Sequence, residues 1–145
     1  MAEPRLILDS GALSALAKGD TRMIAWAYIA TQRQMLYGIP APVLTETLSG
    51  QASDARVHRV ISADDVILDT TVVIARNAGT LRHRSHRRDA TVDAIVVSTA
   101  AEHPGSIVMT SDPDDLQMLA SYVPDARLTV CSVNDSPRRF RPRKS

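Results

Sequence analysis

The chain has 145 residues, with 17 Lys and Arg, 16 Asp and Glu and a single cysteine, and 44% of its residues are hydrophobic. This length and balance indicate one globular domain and exclude a disordered chain or a scaffold built on disulfides. The sequence has neither a recognisable signal peptide nor an apolar run approaching the roughly 18 residues of a membrane-spanning helix. We therefore expect a cytoplasmic protein with no membrane partner.

The predicted elements alternate between strand and helix along the chain. The apolar runs that indicate strands are 5–8, 37–41, 66–68, 106–109 and 127–133. The segments with helical character are 12–17, 21–35, 42–50, 53–63, 70–83, 89–102 and a stretch beginning at Pro113. In the second helix, the apolar stripe expected to face the core consists of Ile24, Ala27, Tyr28 and Met35. This alternation predicts an α/β fold with a mainly parallel central sheet and helices on both of its faces.

Four acidic side chains occupy positions from which they could share a metal ion. Asp9 and Asp112 follow apolar runs that indicate buried strands, and ligands of α/β proteins bind at the carboxyl ends of such strands. Asp93 lies in the first turn of an apolar helix, and Glu46 lies in the helix that Pro42 opens. Converging carboxylates repel one another unless a cation neutralises them. A set of oxygen ligands favours Mg²⁺ or Mn²⁺ over zinc.

Each of these acids also has a purely structural interpretation. Asp9 and Asp112 could cap the helices that follow them, and Asp93 could stabilise the dipole of its own helix. Glu46 could pair with an arginine on the surface. Their spacing in the sequence leaves both interpretations open.

The acids lie in four short segments that occur in a characteristic order. These are Leu8-Asp-Ser-Gly-Ala-Leu13, Pro42-Val-Leu-Thr-Glu46, Asp93-Ala-Ile-Val-Val-Ser-Thr-Ala100 and Val108-Met-Thr-Ser-Asp-Pro-Asp-Asp-Leu116. Together they resemble the PIN-domain family, especially the bacterial VapC-type toxin ribonucleases, over about residues 5–133. The resemblance implies a PIN-like three-layer α/β/α sandwich over 1–135. The implied catalytic and metal-site acids are Asp9, Glu46, Asp93 and Asp112, with Ser10, Thr110 and Asp115 as auxiliary residues. The chain departs from the family pattern at Leu116, where many relatives carry an aromatic residue.

The resemblance further implies a metal-dependent endoribonuclease that acts as the toxin of a type II toxin–antitoxin pair. Bound Mg²⁺ or Mn²⁺ would hold a phosphodiester oxygen and lower the pKa of a water molecule. Cleavage would leave 5′-phosphate and 3′-hydroxyl ends. Such relatives are neutralised by a small protein and commonly dimerise. We therefore expect an RNA substrate, a small cognate antitoxin and a homodimer.

Basic side chains are concentrated in two places. Just before the Asp93 helix, the candidate RNA-binding residues are Arg82, Arg84, Arg87 and Arg88. They could form a rim that contacts phosphates, or merely a solvated helix end. The second concentration is a basic tail over 136–145, which we predict to be disordered.

Two other functions fit parts of the pattern. A PIN-like RNA-binding or regulatory module with little catalysis would use the arginines for affinity, although it would not need all four acids. A receiver-like phosphotransfer domain would also have an acidic pocket. The absence of a well-placed lysine beside the acids counts against that possibility.

Overall fold

Short apolar runs form the strands of one parallel sheet in the computed structural model, which describes residues 2–137. The strands are β1 (Leu6–Leu8), β2 (Tyr37–Pro40), β3 (Ile67–Leu68), β4 (Ile107–Thr110) and β5 (Thr129–Ser132). All four strand pairings are parallel. Every residue of β1 and β4 is buried, as expected of strands covered by helices on both faces. The predicted α/β class is therefore confirmed.

Seven α-helices within the described residues connect and cover these strands. They are α1 (Ser10–Ala17), α2 (Thr21–Gln32), α3 (Leu44–Thr47), α4 (Ala55–Ile61), α5 (Val72–Arg84), α6 (Thr91–Ala101) and α7 (Pro113–Ala120). The arrangement is a three-layer α/β/α sandwich. Of the predicted basic tail, residues 138–145 lie outside the described part of the chain.

The order of strands across the sheet determines where a ligand site can form. The order is β3-β2-β1-β4-β5, so the chain builds one half of the sheet outward from β1 and then returns to start the other half at β4. Ligands of open α/β sheets bind at such a reversal, beyond the carboxyl ends of the strands. The order also differs from the 2-1-3-4-5 order typical of receiver domains, which argues against that alternative.

The buried face of α2 differs from the predicted one. Met23, Trp26 and Ala30 are buried, whereas Ile24 and Tyr28 are 47% and 63% exposed. The indole of Trp26 is the largest apolar group on this helix, and its N–H donates to the carbonyl of Asp135 at 2.9 Å. The buried face of α2 is therefore rotated about the helix axis by about 100°, the angle of one residue, from the predicted face. The reason is that burial of Trp26 outweighs burial of the smaller Ile24.

The predicted helix over 42–50 is shorter than expected. A 3-10 turn at Ala41–Val43 leads into the single turn of α3, and the chain becomes extended at Leu48. The loop that follows folds around Asp54, which is 6% exposed. The Asp54 carboxylate accepts hydrogen bonds from the backbone N–H of Ser49 at 2.8 Å and of Gly50 at 2.7 Å, and from the Ser49 hydroxyl. The carboxylate thereby fixes the loop that follows α3.

Candidate metal centre

Asp9 connects the central strand β1 to the start of α1. Its backbone N–H donates to the carbonyl of Met109 on β4 at 3.2 Å, and its side chain is buried. The carboxylate accepts from the N–H of Ala12 at 2.9 Å, so Asp9 is the N-cap of α1. The structural interpretation of this acid is therefore right, but it does not exclude a second role at the same edge of the sheet.

The hydroxyl of Thr110 links two of the predicted site acids. Thr110 is the last residue of β4 and is completely buried. Its hydroxyl donates to the Asp9 carboxylate and accepts from the N–H of Asp112 at 2.9 Å. Because β1 and β4 are neighbouring parallel strands, this one side chain ties together both chain segments that leave their carboxyl ends. The predicted auxiliary residue Thr110 thus lies between the acids.

Burial raises the pKa of Asp9 above its ordinary value. The hydrogen bonds from Thr110, Ala12 and Gly11 act in the opposite direction, because they favour the charged carboxylate, and the nearby charge of Glu46 raises the pKa further. Hydrogen-bond donors therefore hold the Asp9 carboxylate in position, whereas burial and the charge of Glu46 disfavour its ionised form. A cation would relieve that conflict.

Asp93 experiences the strongest electrostatic effect in the site. It lies in the first turn of α6 and is half-buried. Burial raises the pKa of Asp93 to about 6, and the charges of four neighbouring acids contribute, in decreasing order Asp9, Glu46, Asp115 and Asp112. An acid so perturbed by several like charges marks a place where negative charge is concentrated. The four predicted acids therefore share one region of the structure.

Glu46 reaches this region through the packing of its short helix. Helix α3 contacts α1, which begins beside Asp9, and the Ala41–Val43 turn before α3 contacts α6, which carries Asp93. Glu46 is exposed, and no ion pair joins it to an arginine within residues 2–137. Its influence on the pKa of both Asp9 and Asp93 shows that it faces the same region.

Asp112 and Asp115 form a pair at the start of α7. The charge of Asp115 raises the pKa of Asp112, which occupies the N-cap position and is exposed. The guanidinium of Arg87 lies with Nη1 3.1 Å from Oδ1 of Asp115 and lowers the pKa of that carboxyl. Arg87 also lies 3.6 Å from Asp89. One of the candidate RNA-binding arginines is thus attached to the acidic region itself.

The other candidate RNA-binding arginines differ in the contacts that their side chains make. Arg82 donates from Nε to the carbonyl of Arg88 at 3.0 Å, and Arg88 itself is exposed. Arg84 stacks over the ring of Tyr122, with 5.7 Å between the guanidinium carbon and the ring centroid. Three of the four arginines therefore have contacts within the protein, and the cluster is not a uniform basic rim.

The donor chemistry of the site fits a hard divalent cation. Asp9, Glu46, Asp93 and Asp112 contribute only carboxylate oxygens, the ligands that Mg²⁺ and Mn²⁺ prefer. Across residues 2–137, however, no three His, Cys, Asp or Glu side chains already have the close spacing of one ligand set. The acids are thus near enough to perturb one another's pKa but are not drawn into mutual contact.

Two further residues complete the description of the site. Ser10 begins α1 beside Asp9, but in the described part of the chain its hydroxyl makes no hydrogen bond to these acids. Gly11 was not singled out by sequence reasoning. A Cβ at Gly11 would lie 2.8 Å from the Cβ of Ser111 and still closer to its hydroxyl. Glycine therefore permits α1 to approach the loop carrying Asp112, and a glycine just after a strand is the usual signal of such an approach.

The chain matches no model of a known protein family, and no curated protein is similar to it in sequence. Within residues 2–137, no helix combines the length and the apolar character required to cross a membrane. What the fold and the site define is an all-parallel α/β protein with several acids around the carboxyl ends of β1 and β4.

Proposed function

We propose that this protein is a metal-dependent endoribonuclease that hydrolyses RNA phosphodiester bonds. The observation that carries the proposal is that Asp9 and Asp112 follow the neighbouring carboxyl ends of β1 and β4 and are joined through the hydroxyl of Thr110, with Asp93 and Glu46 close enough to interact with Asp9. Such a concentration of carboxylates at the carboxyl edge of a parallel sheet is suited to Mg²⁺ or Mn²⁺. The order of the four segments that resemble PIN-domain ribonucleases supports RNA as the substrate.

The residues that would hold the cation are Asp9, Glu46, Asp93 and Asp112. When bound, Mg²⁺ or Mn²⁺ would polarise a phosphodiester oxygen and lower the pKa of a water molecule. Thr110 keeps Asp9 and the backbone of Asp112 at a fixed separation through its two hydrogen bonds. At neutral pH Asp93 is mostly ionised, since its pKa is about 6, and the ionised carboxylate is the form that would bind a cation.

Arg87 prepares the same region for an anionic substrate. Its ion pair with Asp115 offsets one of the acids that surround Asp93, so an approaching phosphate meets less negative charge. The exposed Arg88 supplies a further positive charge close in sequence. Phosphate contacts of this kind contribute affinity without reading the RNA sequence.

The biological role that we propose is that of a cytoplasmic toxin in a type II toxin–antitoxin pair. This part rests on the resemblance to VapC-type ribonucleases, which also suggests a small antitoxin partner and a homodimer. A short open reading frame beside the gene, encoding a DNA-binding protein that co-purifies with this chain, would support the role. Sedimentation of the purified chain tests the homodimer.

The nuclease proposal is tested with the purified full chain and defined tRNA, rRNA and mRNA substrates. We expect cleavage with Mg²⁺ or Mn²⁺, loss of cleavage in EDTA, and at least a ~100-fold loss in Asp93→Asn, since a metal ligand is removed. The matched control is Asp125→Asn, because Asp125 is an exposed acid in the 3-10 turn Pro124–Ala126, before β5 begins. Metal-independent binding of these RNAs without cleavage would contradict the proposal and favour the RNA-binding module.

A further inference from the structure

A small cavity lies between α5, α6 and the segment after α7. Its volume is about 170 Å³, and its polar lining consists of Asn77, Thr80, Arg84, Ser98 and Tyr122. None of the acids around Asp93 lines it. Ser98 is five residues beyond Asp93 on α6, which places it about 7.5 Å farther along the helix axis. The cavity is therefore separate from the candidate metal centre.

The hydroxyl of Ser98 is an unused hydrogen-bonding group in the wall of this cavity. Ser98 is only 2% exposed, and its Oγ has no hydrogen-bond partner within residues 2–137. A hydroxyl in a helix commonly bonds to the carbonyl four residues earlier, as the neighbouring Thr99 does to Ile95 at 2.7 Å. A buried hydroxyl without a partner is unfavourable, so its presence calls for a group that completes it.

Arg84 supplies positive charge to the same cavity. Its guanidinium lies over the ring of Tyr122, and in the described part of the chain it forms no ion pair with an acid. Stacking on an aromatic ring uses the face of the guanidinium and leaves the N–H donors at its edge available. No Asp or Glu lines the cavity to compete for those donors. The cavity therefore combines a guanidinium with a buried hydroxyl.

The other polar groups are consistent with a donor-rich site. The Asn77 amide supplies two N–H donors at the rim. The Thr80 hydroxyl, by contrast, is already used, since it donates to the carbonyl of Arg76 at 3.2 Å. The apolar remainder of the wall is Leu81, Ala101 and Val123. The space equals that of about five or six water molecules, which suits a small ligand.

We propose that this cavity binds a small oxyanion, a carboxylate or a phosphate group. The guanidinium of Arg84 would bind it through two N–H groups, in the bidentate mode typical of both carboxylates and phosphates, and Ser98 would donate from the buried end. The ligand would connect α5, α6 and the segment after α7. This site does not depend on the proposed nuclease activity, since none of its residues is a candidate metal ligand.

Binding is measured on the ¹⁵N-labelled full chain by NMR, with inorganic phosphate in one titration and acetate in another. Ionic strength is held constant with chloride. We expect saturable shifts in the millimolar range at the amides around Asn77, Ser98 and Tyr122. Saturation with both anions supports a carboxylate-type ligand, and saturation with phosphate alone supports a phosphate ester. The absence of saturation with either anion overturns the proposal.

Three variants distinguish binding in the cavity from non-specific attraction of anions to basic side chains. We expect Arg84→Gln to weaken binding at least 10-fold and Ser98→Ala to weaken it 3- to 10-fold. Ser98→Ala removes a buried hydroxyl that lacks a partner, so the variant stays folded. The control is Arg76→Gln, an exposed arginine on the same helix that does not line the cavity, and it should bind as the wild type does. Equal losses in Arg76→Gln and Arg84→Gln, or no loss in Ser98→Ala, overturn the proposal.

Discussion

Nη1 of Arg87 lies 3.1 Å from Oδ1 of Asp115, and this ion pair joins the end of the α5–α6 hairpin loop to the first turn of α7. The contact connects a basic segment to the acidic region around Asp93. Asp115 in turn raises the pKa of Asp112 and contributes to that of Asp93. Arg87 is thus placed to influence the binding of both a cation and a phosphate at this site.

Replacing Arg87 by Gln should separate these two effects. Without the guanidinium the acids keep their full negative charge, so we expect half-maximal cleavage at a lower Mg²⁺ concentration and a higher KM for RNA. The free energy of unfolding should change little, because the ion pair is partly exposed and screened by solvent. Steady-state kinetics over a Mg²⁺ series measures both changes. Arg22→Gln, at an exposed arginine in α2, serves as the control, and equal changes in both variants would contradict this assignment.

Asp93→Asn should stabilise the protein at neutral pH when no divalent cation is present. The pKa of Asp93 is about 6 in the folded protein, against 3.8 as its ordinary value. Between these values the folded state holds a proton that the unfolded state has lost, so wild-type stability falls as pH rises from about 4 to 6. Above that window the ionised carboxylate is destabilised by its burial and by the neighbouring acids, and the Asn variant avoids both effects.

Thermal unfolding in EDTA from pH 4.5 to 8 measures this effect. The Tm of Asp93→Asn should exceed that of the wild type at pH 8, and the difference should shrink as pH falls below about 6. Added Mg²⁺ should then raise the Tm of the wild type more than that of the variant, because ligand binding stabilises the folded state. A difference in Tm that does not vary with pH would be incompatible with a repelled carboxylate at this position.

Gly11 and Gly79 provide a matched test of the close approach between α1 and Ser111. Gly11→Ala should lower the free energy of unfolding by about 1–3 kcal/mol, because the new methyl group meets Ser111. Gly79 lies inside α5 with open space around it, so Gly79→Ala should instead raise stability by about 0.5–1 kcal/mol. Urea unfolding compares the two variants directly. Equal effects would mean that Ser111 moves aside at little energetic cost.

The parts of the fold that could be predicted from sequence are those governed by local patterns. Continuous apolar runs such as Leu6–Leu8 are buried on both faces of a parallel sheet, and that property alone predicts the layered α/β class. The placement of Asp9 and Asp112 at one edge follows from the same rule, since parallel strands end together. Asp93 and Glu46 needed the resemblance, because no rule of spacing predicts that α3 and the first turn of α6 bring these two acids close to Asp9.

The parts that could not be predicted depend on contacts between distant residues. Helical periodicity predicts the spacing of buried residues on α2, but two adjacent stripes satisfy it, and the burial of Trp26 selects between them. The Arg87–Asp115 ion pair joins residues 28 positions apart, and the sequence shows only a basic run and a separate acidic one. The double hydrogen bond of Thr110 similarly depends on the register of β1 against β4.

The loop that follows α3 offers a test of how Glu46 is held. Donors from Ser49 and Gly50 keep the pKa of Asp54 below its ordinary value, so the ionised carboxylate stabilises the fold at neutral pH. That contribution is present above pH 3.8 and is lost as pH falls further and Asp54 takes up a proton. Asp54→Asn replaces an acceptor oxygen by an N–H₂ donor, so the variant should be less stable at pH 7. Its stability should also decline less steeply than that of the wild type from pH 5 to pH 2.

Urea unfolding at several pH values measures this change, and Asp64→Asn, at an exposed acid, is the control. The loop begins immediately after Thr47, so loosening it should displace Glu46. This displacement should in turn reduce RNA cleavage. High Mg²⁺ should restore part of that activity, since the ligands themselves are intact. Parallel stability curves for Asp54→Asn and the wild type across this pH range would show that the hydrogen bonds of Asp54 do not support the loop.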